Sequence, residues 1–115
     1  MPFFSISPKT RRQGNFQTGV INVPVPMLGK DFFVKLSVTN VVDPNSVAVL
    51  TVDDSSDGIT WRGLINFQYR ADGLTSPDAD ASSTVFIDSL RAKLRANGSI
   101  TGDFNLEATG STTPI

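Results

Sequence analysis

Residues 32–39, with the sequence FFVKLSVT, decide the fold class. Every second side chain in this stretch is large and apolar, as shown by Phe32, Val34, Leu36 and Val38. The positions between them include Lys35, Ser37 and Thr39. A period of two residues is typical of a β-strand that buries one face and exposes the other.

Two further strands are predicted downstream, each bounded by a turn. Residues 47–52 are dense in β-branched side chains, which predicts a central strand. A turn at 43–45 precedes this strand, and a turn at 53–58 follows it, where Asp57-Gly58 suits a positive φ. Residues 59–70 alternate again, with Gly63 at a possible bulge. The apolar face expected to enter the core consists of Ile59, Trp61, Ile65, Phe67 and Tyr69.

Residues 84–97 are compatible with two structures. A strand would place Phe86, Leu90, Ala92 and Leu94 inward. A helix would be capped at Asp88 or Ser89 and would end at Asn97-Gly98. We favour the strand because 85–87 (VFI) begins as β-structure. A strand at 103–109, with Phe104, Leu106 and Ala108 on one face, would then be its hairpin partner.

The complete pattern predicts an all-β chain, a single antiparallel β-sandwich or small barrel of about seven short strands. Residues 1–14 are expected to form an extended N-terminal arm, because Pro2 and Pro8 oppose a helix. Residues 15–110 form the sandwich domain, 71–83 a long loop that is mobile or makes contacts, and 111–115 a flexible tail.

Composition argues against catalysis. The 115 residues include no histidine and no cysteine, so the usual zinc sites and nucleophile–histidine pairs cannot form. The net charge of −1 gives no general basic field for nucleic acid. We expect no enzymatic activity, no cofactor and no metal. The acidic run 53–58 resembles a calcium loop only in composition, and a turn held by side-chain hydrogen bonds is the better interpretation.

Two groups of basic residues are candidates for binding a partner. One group lies in the arm and the other alternates along the 84–97 segment: Lys9, Arg11 and Arg12, and Arg91, Lys93 and Arg95. The alternative for the second group is a solvated face that pairs with Asn105 and Glu107 across a hairpin. Trp61 is expected in the core, although an exposed tryptophan could instead stack on a sugar.

Several turn and strand motifs resemble known proteins. SSDGITW, residues 55–61, is similar to the Asp-box, a structural hairpin turn of sialidase-type propellers, although it is one residue shorter. VLTVDDSSDGITW at 49–61 resembles the small β-sandwich structural proteins of tailed bacteriophage virions. Asp43-Pro44, LRAKL at 90–94 and GDFNL at 102–106 fit the same pattern, which covers roughly residues 30–110.

This resemblance implies a virion structural protein, of the kind that decorates or cements a capsid. Its partners would be a capsid or other virion protein and further copies of itself, with a trimer favoured. We expect it to be made in the host cytoplasm, because no secretory signal or membrane span is evident. The alternative is a carbohydrate-binding β-sandwich module of a host-recognition fibre or tail protein, which would require exposed aromatic side chains.

Overall fold

Alternating apolar and polar residues build two antiparallel sheets that pack face to face. The computed structural model describes residues 3–71 and 79–111. Within them the strands are β1 (Phe3–Arg12), β2 (Phe16–Gln17), β3 (Ile21–Asn22), β4 (Lys30–Thr39), β5 (Val47–Ser55), β6 (Arg62–Arg70), β7 (Ala79–Ile87), β8 (Lys93–Thr101) and β9 (Phe104–Ser111). A short 3₁₀ turn, Val25–Met27, precedes β4. The predicted all-β sandwich is confirmed.

The first sheet has the strand order β1-β9-β4-β7, and the second has the order β2-β8-β5-β6. Strand β3 also pairs with β8, beside β2. The strand β5 is therefore central in its sheet, as its β-branched composition predicts. The four predicted inward side chains of β4 are buried, and so are Phe104, Leu106 and Ala108 of β9. The core lies between these rows of the first sheet and the buried side chains of the second sheet, which include Leu50 of β5 and Leu94 of β8.

The N-terminal segment is extended, as predicted, but it is part of the sandwich. Strand β1 pairs with β9 from Phe3 to Arg12, and Ile6 belongs to the buried core. Residues 3–12 are thus the edge strand of the first sheet rather than a separate arm. At the other terminus, Ser111 is the last residue of β9, and residues 112–115 of the predicted tail lie outside the described residues.

The segment 84–97 is neither one strand nor a helix. Strand β7 ends at Ile87, a turn occupies 88–92, and β8 begins at Lys93 in the opposite sheet. Leu94 is buried as predicted, whereas Phe86 and Leu90 are exposed. The predicted hairpin with β9 is wrong, because β8 pairs with β5 and β9 pairs with β1 and β4. Of the predicted loop 71–83, residues 79–83 belong to β7, and 72–78 lie outside the described residues.

A bulge explains why the predicted inward row of residues 59–70 is only partly correct. Val52 lies opposite Ile65, but the next residue, Asp53, lies opposite Gly63, so Leu64 is an extra residue. Because side chains alternate between the two faces of a sheet, an extra residue moves the side chains that precede it to the opposite face. Ile65 and Phe67 are therefore buried, while Trp61 lies beside Arg95 and Asp53 on the outer face.

Candidate interaction surfaces

The side chains of Ser55 and Asp57 hold the turn between β5 and β6 by accepting hydrogen bonds from its backbone N–H groups. The Ser55 hydroxyl accepts hydrogen bonds from the backbone N–H groups of Asp57 (3.2 Å) and Gly58 (2.9 Å). One carboxylate oxygen of Asp57 accepts from the N–H groups of Ile59 (2.8 Å) and Thr60 (2.9 Å). Gly58 has a φ of 78°, which glycine adopts without strain. The turn is therefore fixed by local bonds, as the Asp-box similarity implies.

The same bonds determine the charge state of the turn. The N–H of Thr60, followed by that of Ile59 and the Ser55 hydroxyl, lowers the pKa of Asp57 to about 2. Hydrogen bonds that favour the carboxylate have this effect. The acidic residues of the run 53–58 do not converge on one point, since Asp57 binds its own turn, Asp54 binds Arg62 and Asp53 binds Arg95. This arrangement contradicts the calcium alternative and supports the hydrogen-bonded turn.

A second turn, between β7 and β8, has the same construction. The Asp88 carboxylate accepts from the N–H of Leu90 (2.9 Å), and the Asp88 carbonyl accepts from the N–H of Arg91 (2.9 Å). An aspartate that binds the N–H two residues ahead forms an Asx-turn. In both turns, the residue that donates to the aspartate two positions earlier is a large apolar one, Ile59 or Leu90.

Both turns lie at the same end of the sandwich as the segment that contains Val25, because Ser55 at the end of β5 lies opposite Lys93 at the start of β8. The N–H of Gly29 donates to the Ile87 carbonyl (2.7 Å), and the N–H of Val23 donates to the Ala92 carbonyl (2.8 Å). We define the apolar end as Val25, Ile59 and Leu90, whose exposed fractions are 79%, 83% and 77%. The apolar end is therefore a candidate surface for binding a partner.

An ion pair between the buried Asp54 and the half-exposed Arg62 links the ends of β5 and β6 next to the apolar end. The Asp54 side chain is inaccessible to solvent, and it accepts from Arg62 through both oxygens, at 3.1 and 2.8 Å. These bonds raise the pKa of the Arg62 guanidinium. A bidentate pair of this kind fixes direction as well as charge. The pair therefore holds the first residue of β6 against the end of β5.

The basic residues predicted for partner binding are divided between two places. Lys9 is exposed on β1, and the Arg11 guanidinium binds the Asp103 carboxylate at 2.7 Å. That contact lowers the pKa of Asp103. Arg12 lies over the ring of Phe16 at 3.6 Å, and burial lowers the pKa of its guanidinium. Arg11 and Arg12 are thus used within the fold, which leaves Lys9 as the free cation of this group among the described residues.

The second basic group lies at the start of β8. Arg91 is half-buried in the turn, and the Lys93 ammonium donates to the Asn22 side chain at 3.2 Å. Arg95 donates to Asp53 at 3.2 Å and covers one face of Trp61 at 4.4 Å. The expected partners Asn105 and Glu107 belong to the opposite sheet. Arg91, Lys93 and Arg95 are thus partly exposed, and Lys93 and Arg95 have partners within the fold.

A polar network that was not predicted from the sequence lies around Trp61 on the outer face of the second sheet. The Asn97 side chain donates to Asp53 Oδ2 at 2.9 Å and accepts from Gln17. Beside it lies an open groove of about 360 Å³, lined by Thr51, Asp53, Gly63, Leu64, Ile65 and Asn66. The sequence feature that could have revealed this network is the bulge at Gly63, because the bulge moves Trp61 to the outer face.

No protein-family model and no curated protein sequence matches this chain. In residues 3–71 and 79–111, no three acidic, histidine or cysteine side chains are grouped so that they could hold a metal ion. The same described ranges contain no helix that is long and apolar enough to cross a membrane.

Proposed function

We propose that this chain is a non-enzymatic structural protein of a virus particle, of the capsid decoration or cement type, which binds the particle surface through protein–protein contacts. The observation that carries the proposal is the apolar end, where Ile59 and Leu90 are presented on turns closed by aspartate side chains. The resemblance of residues 30–110 to virion β-sandwich proteins supplies the kind of partner.

The construction of these turns favours binding. Ordering a loop on association costs free energy, and a turn that is already fixed by hydrogen bonds avoids most of that cost. Burial of each large apolar side chain contributes about 1.5–3 kcal/mol. One copy would therefore bind with moderate strength. Repeated sites on a symmetric shell would allow linked copies to add their affinities.

The experiment measures rebinding of the purified chain to particles that lack it. The double variant Ile59→Ser with Leu90→Ser removes two apolar side chains of the apolar end and keeps the turn aspartates. We expect it to lose particle binding and to melt within a few degrees of the wild type, because both side chains are exposed. The matched control is Val42→Ser, an exposed valine at the opposite end, which should bind normally. Equal binding of all three proteins would contradict the proposal.

A second candidate function, glycan binding, is favoured by one observation, the position of Trp61 beside the groove on the outer face. Among the described residues, Arg95 and Asn97 both donate to Asp53 Oδ2, which leaves Oδ1 as an acceptor for a ligand. Tryptophan with amide and carboxylate side chains is a suitable set for sugar hydroxyls and ring faces. A panel of immobilised oligosaccharides tests this function. Binding that Asn66→Ala and Trp61→Ala both abolish, with little loss of stability, would support it, and an absence of binding would reject it.

A further inference from the structure

Three of the four sheet edges carry features that block pairing with another strand. Strand β1 has two register shifts and contains Pro8. The edge formed by β2 and β3 consists of two-residue strands. Strand β6 has the bulge at Leu64 and an arginine at each end. Bulges, proline, short strands and basic residues are the means by which natural sheets prevent association at their edges.

Strand β7 has none of these features. It pairs with β4 at nine consecutive positions, from Lys30 opposite Ile87 to Val38 opposite Ala79, without a shift. Its sequence, ADASSTVFI, contains no proline, glycine, lysine or arginine. The single charge is Asp80, whose carboxylate lies 3.7 Å from the Lys35 ammonium. Within the part of the chain that the structure describes, no strand pairs with the other side of β7.

We propose that β7 pairs antiparallel with β7 of a second copy of this chain, about a two-fold axis at Ser83. Ser83 is the middle residue of the strand, so this register uses the whole edge. It places Ser82 opposite Thr84 of the second copy, and both are exposed residues of the outer face. Phe86, which is 56% exposed, lies opposite Asp80 of the second copy and would be partly covered.

The charges of the strand agree with a second copy as the occupant. A two-fold axis at Ser83 separates the two Asp80 side chains by six residue positions, or about 20 Å along the strands. No like charges then lie opposite each other, and the side chains nearest the axis are small. The contact joins the two four-stranded sheets into one continuous sheet with an isologous interface. It does not depend on the proposed function, because particle binding uses the apolar end instead.

The test is the solution mass by light scattering on a sizing column, over a concentration series. We expect the wild type to approach twice the 12.4 kDa mass of the chain. The double variant Ser82→Lys with Thr84→Lys places lysines opposite each other across the axis and should give the monomer mass. The variant Ser82→Lys with Thr84→Glu places each lysine opposite a glutamate and should restore the dimer.

Both variants change exposed side chains on the same strand, so their circular dichroism spectra and melting temperatures serve as matched controls. A wild type that stays monomeric at its highest soluble concentration would overturn the proposal, and so would a trimer. A lysine–lysine variant with the wild-type mass would overturn it as well. A lysine–glutamate variant that stays monomeric would overturn the two-fold register.

Discussion

Replacement of Ile6 by alanine tests whether the N-terminal strand belongs to the core. Ile6 is 2% exposed, so the change removes a buried side chain from strand β1. Isoleucine-to-alanine changes in cores cost about 2–5 kcal/mol. Because an edge strand can relax into the space, we expect a loss of about 2–4 kcal/mol, which is a large part of the roughly 5–15 kcal/mol that stabilises a typical domain.

Urea unfolding followed by circular dichroism measures this loss. With a slope near 1.5 kcal/mol per molar urea, the midpoint should fall by about 1.3–2.7 M at an unchanged slope. The melting temperature should fall by roughly 8–16 °C. The matched control is Lys9→Ala, which alters an exposed side chain on the same strand and should change stability by less than about 0.5 kcal/mol. If Ile6→Ala were as mild as Lys9→Ala, residues 3–12 would be a separate arm after all.

Three further predictions concern stability. A Cβ at Gly98 would lie 2.1 Å from the Phe16 ring, so Gly98→Ala should cost about 1–3 kcal/mol in urea unfolding, and less in a Phe16→Ala background. Equal costs in both backgrounds would contradict the clash. Asp57 has a folded-state pKa of about 2, below its value of 3.8 in the unfolded chain, so it stabilises the fold above about pH 4 and loses this effect as the pH falls through 2. Asp57→Asn should therefore reduce the fall in melting temperature between pH 5 and pH 2, and an unchanged acid profile would refute this. Gly102→Ala should destabilise the fold, because the residue has a φ of 142° and its Cβ would lie 2.7 Å from Ser46 Cα; a melting temperature equal to that of the wild type would exclude this clash.

The sequence was sufficient for the strands that bury one face over their whole length. In β4 and β9 the apolar period of two continues without interruption, and their inward residues were correctly predicted. For β5 the β-branched composition correctly predicted a central strand, but it did not indicate which side chains face the core. Local period is a reliable signal in β4 and β9 because sheet geometry imposes it. Strand β7 gave no such signal, because its first residues are small or polar. It is a strand because it pairs with β4, which is distant in the sequence.

Errors arose where the chain changes face or sheet. The extra Leu64 reverses the facing of Trp61, and no alternation pattern reveals which side of a bulge faces the core. Ile59, also expected to face the core, lies in the turn that precedes β6. Strands β8 and β9 are separated by two residues but lie in opposite sheets, where a hairpin was expected. The positive φ of Gly102 permits this crossing. The two candidate surfaces could not be predicted for the same reason. The apolar end and the Trp61 network both contain side chains that were expected to face the core.

The measurement that tests the proposed structural role most directly is the protein content of virus particles purified from cells that produce this chain. Particles would be separated on a density gradient, and the ratio of this chain to the major shell protein would be measured by quantitative mass spectrometry. A structural role predicts that the chain migrates with intact particles at a fixed ratio set by the symmetry of the shell. Recovery of the chain only in the soluble fraction, with none on the particles, would contradict it.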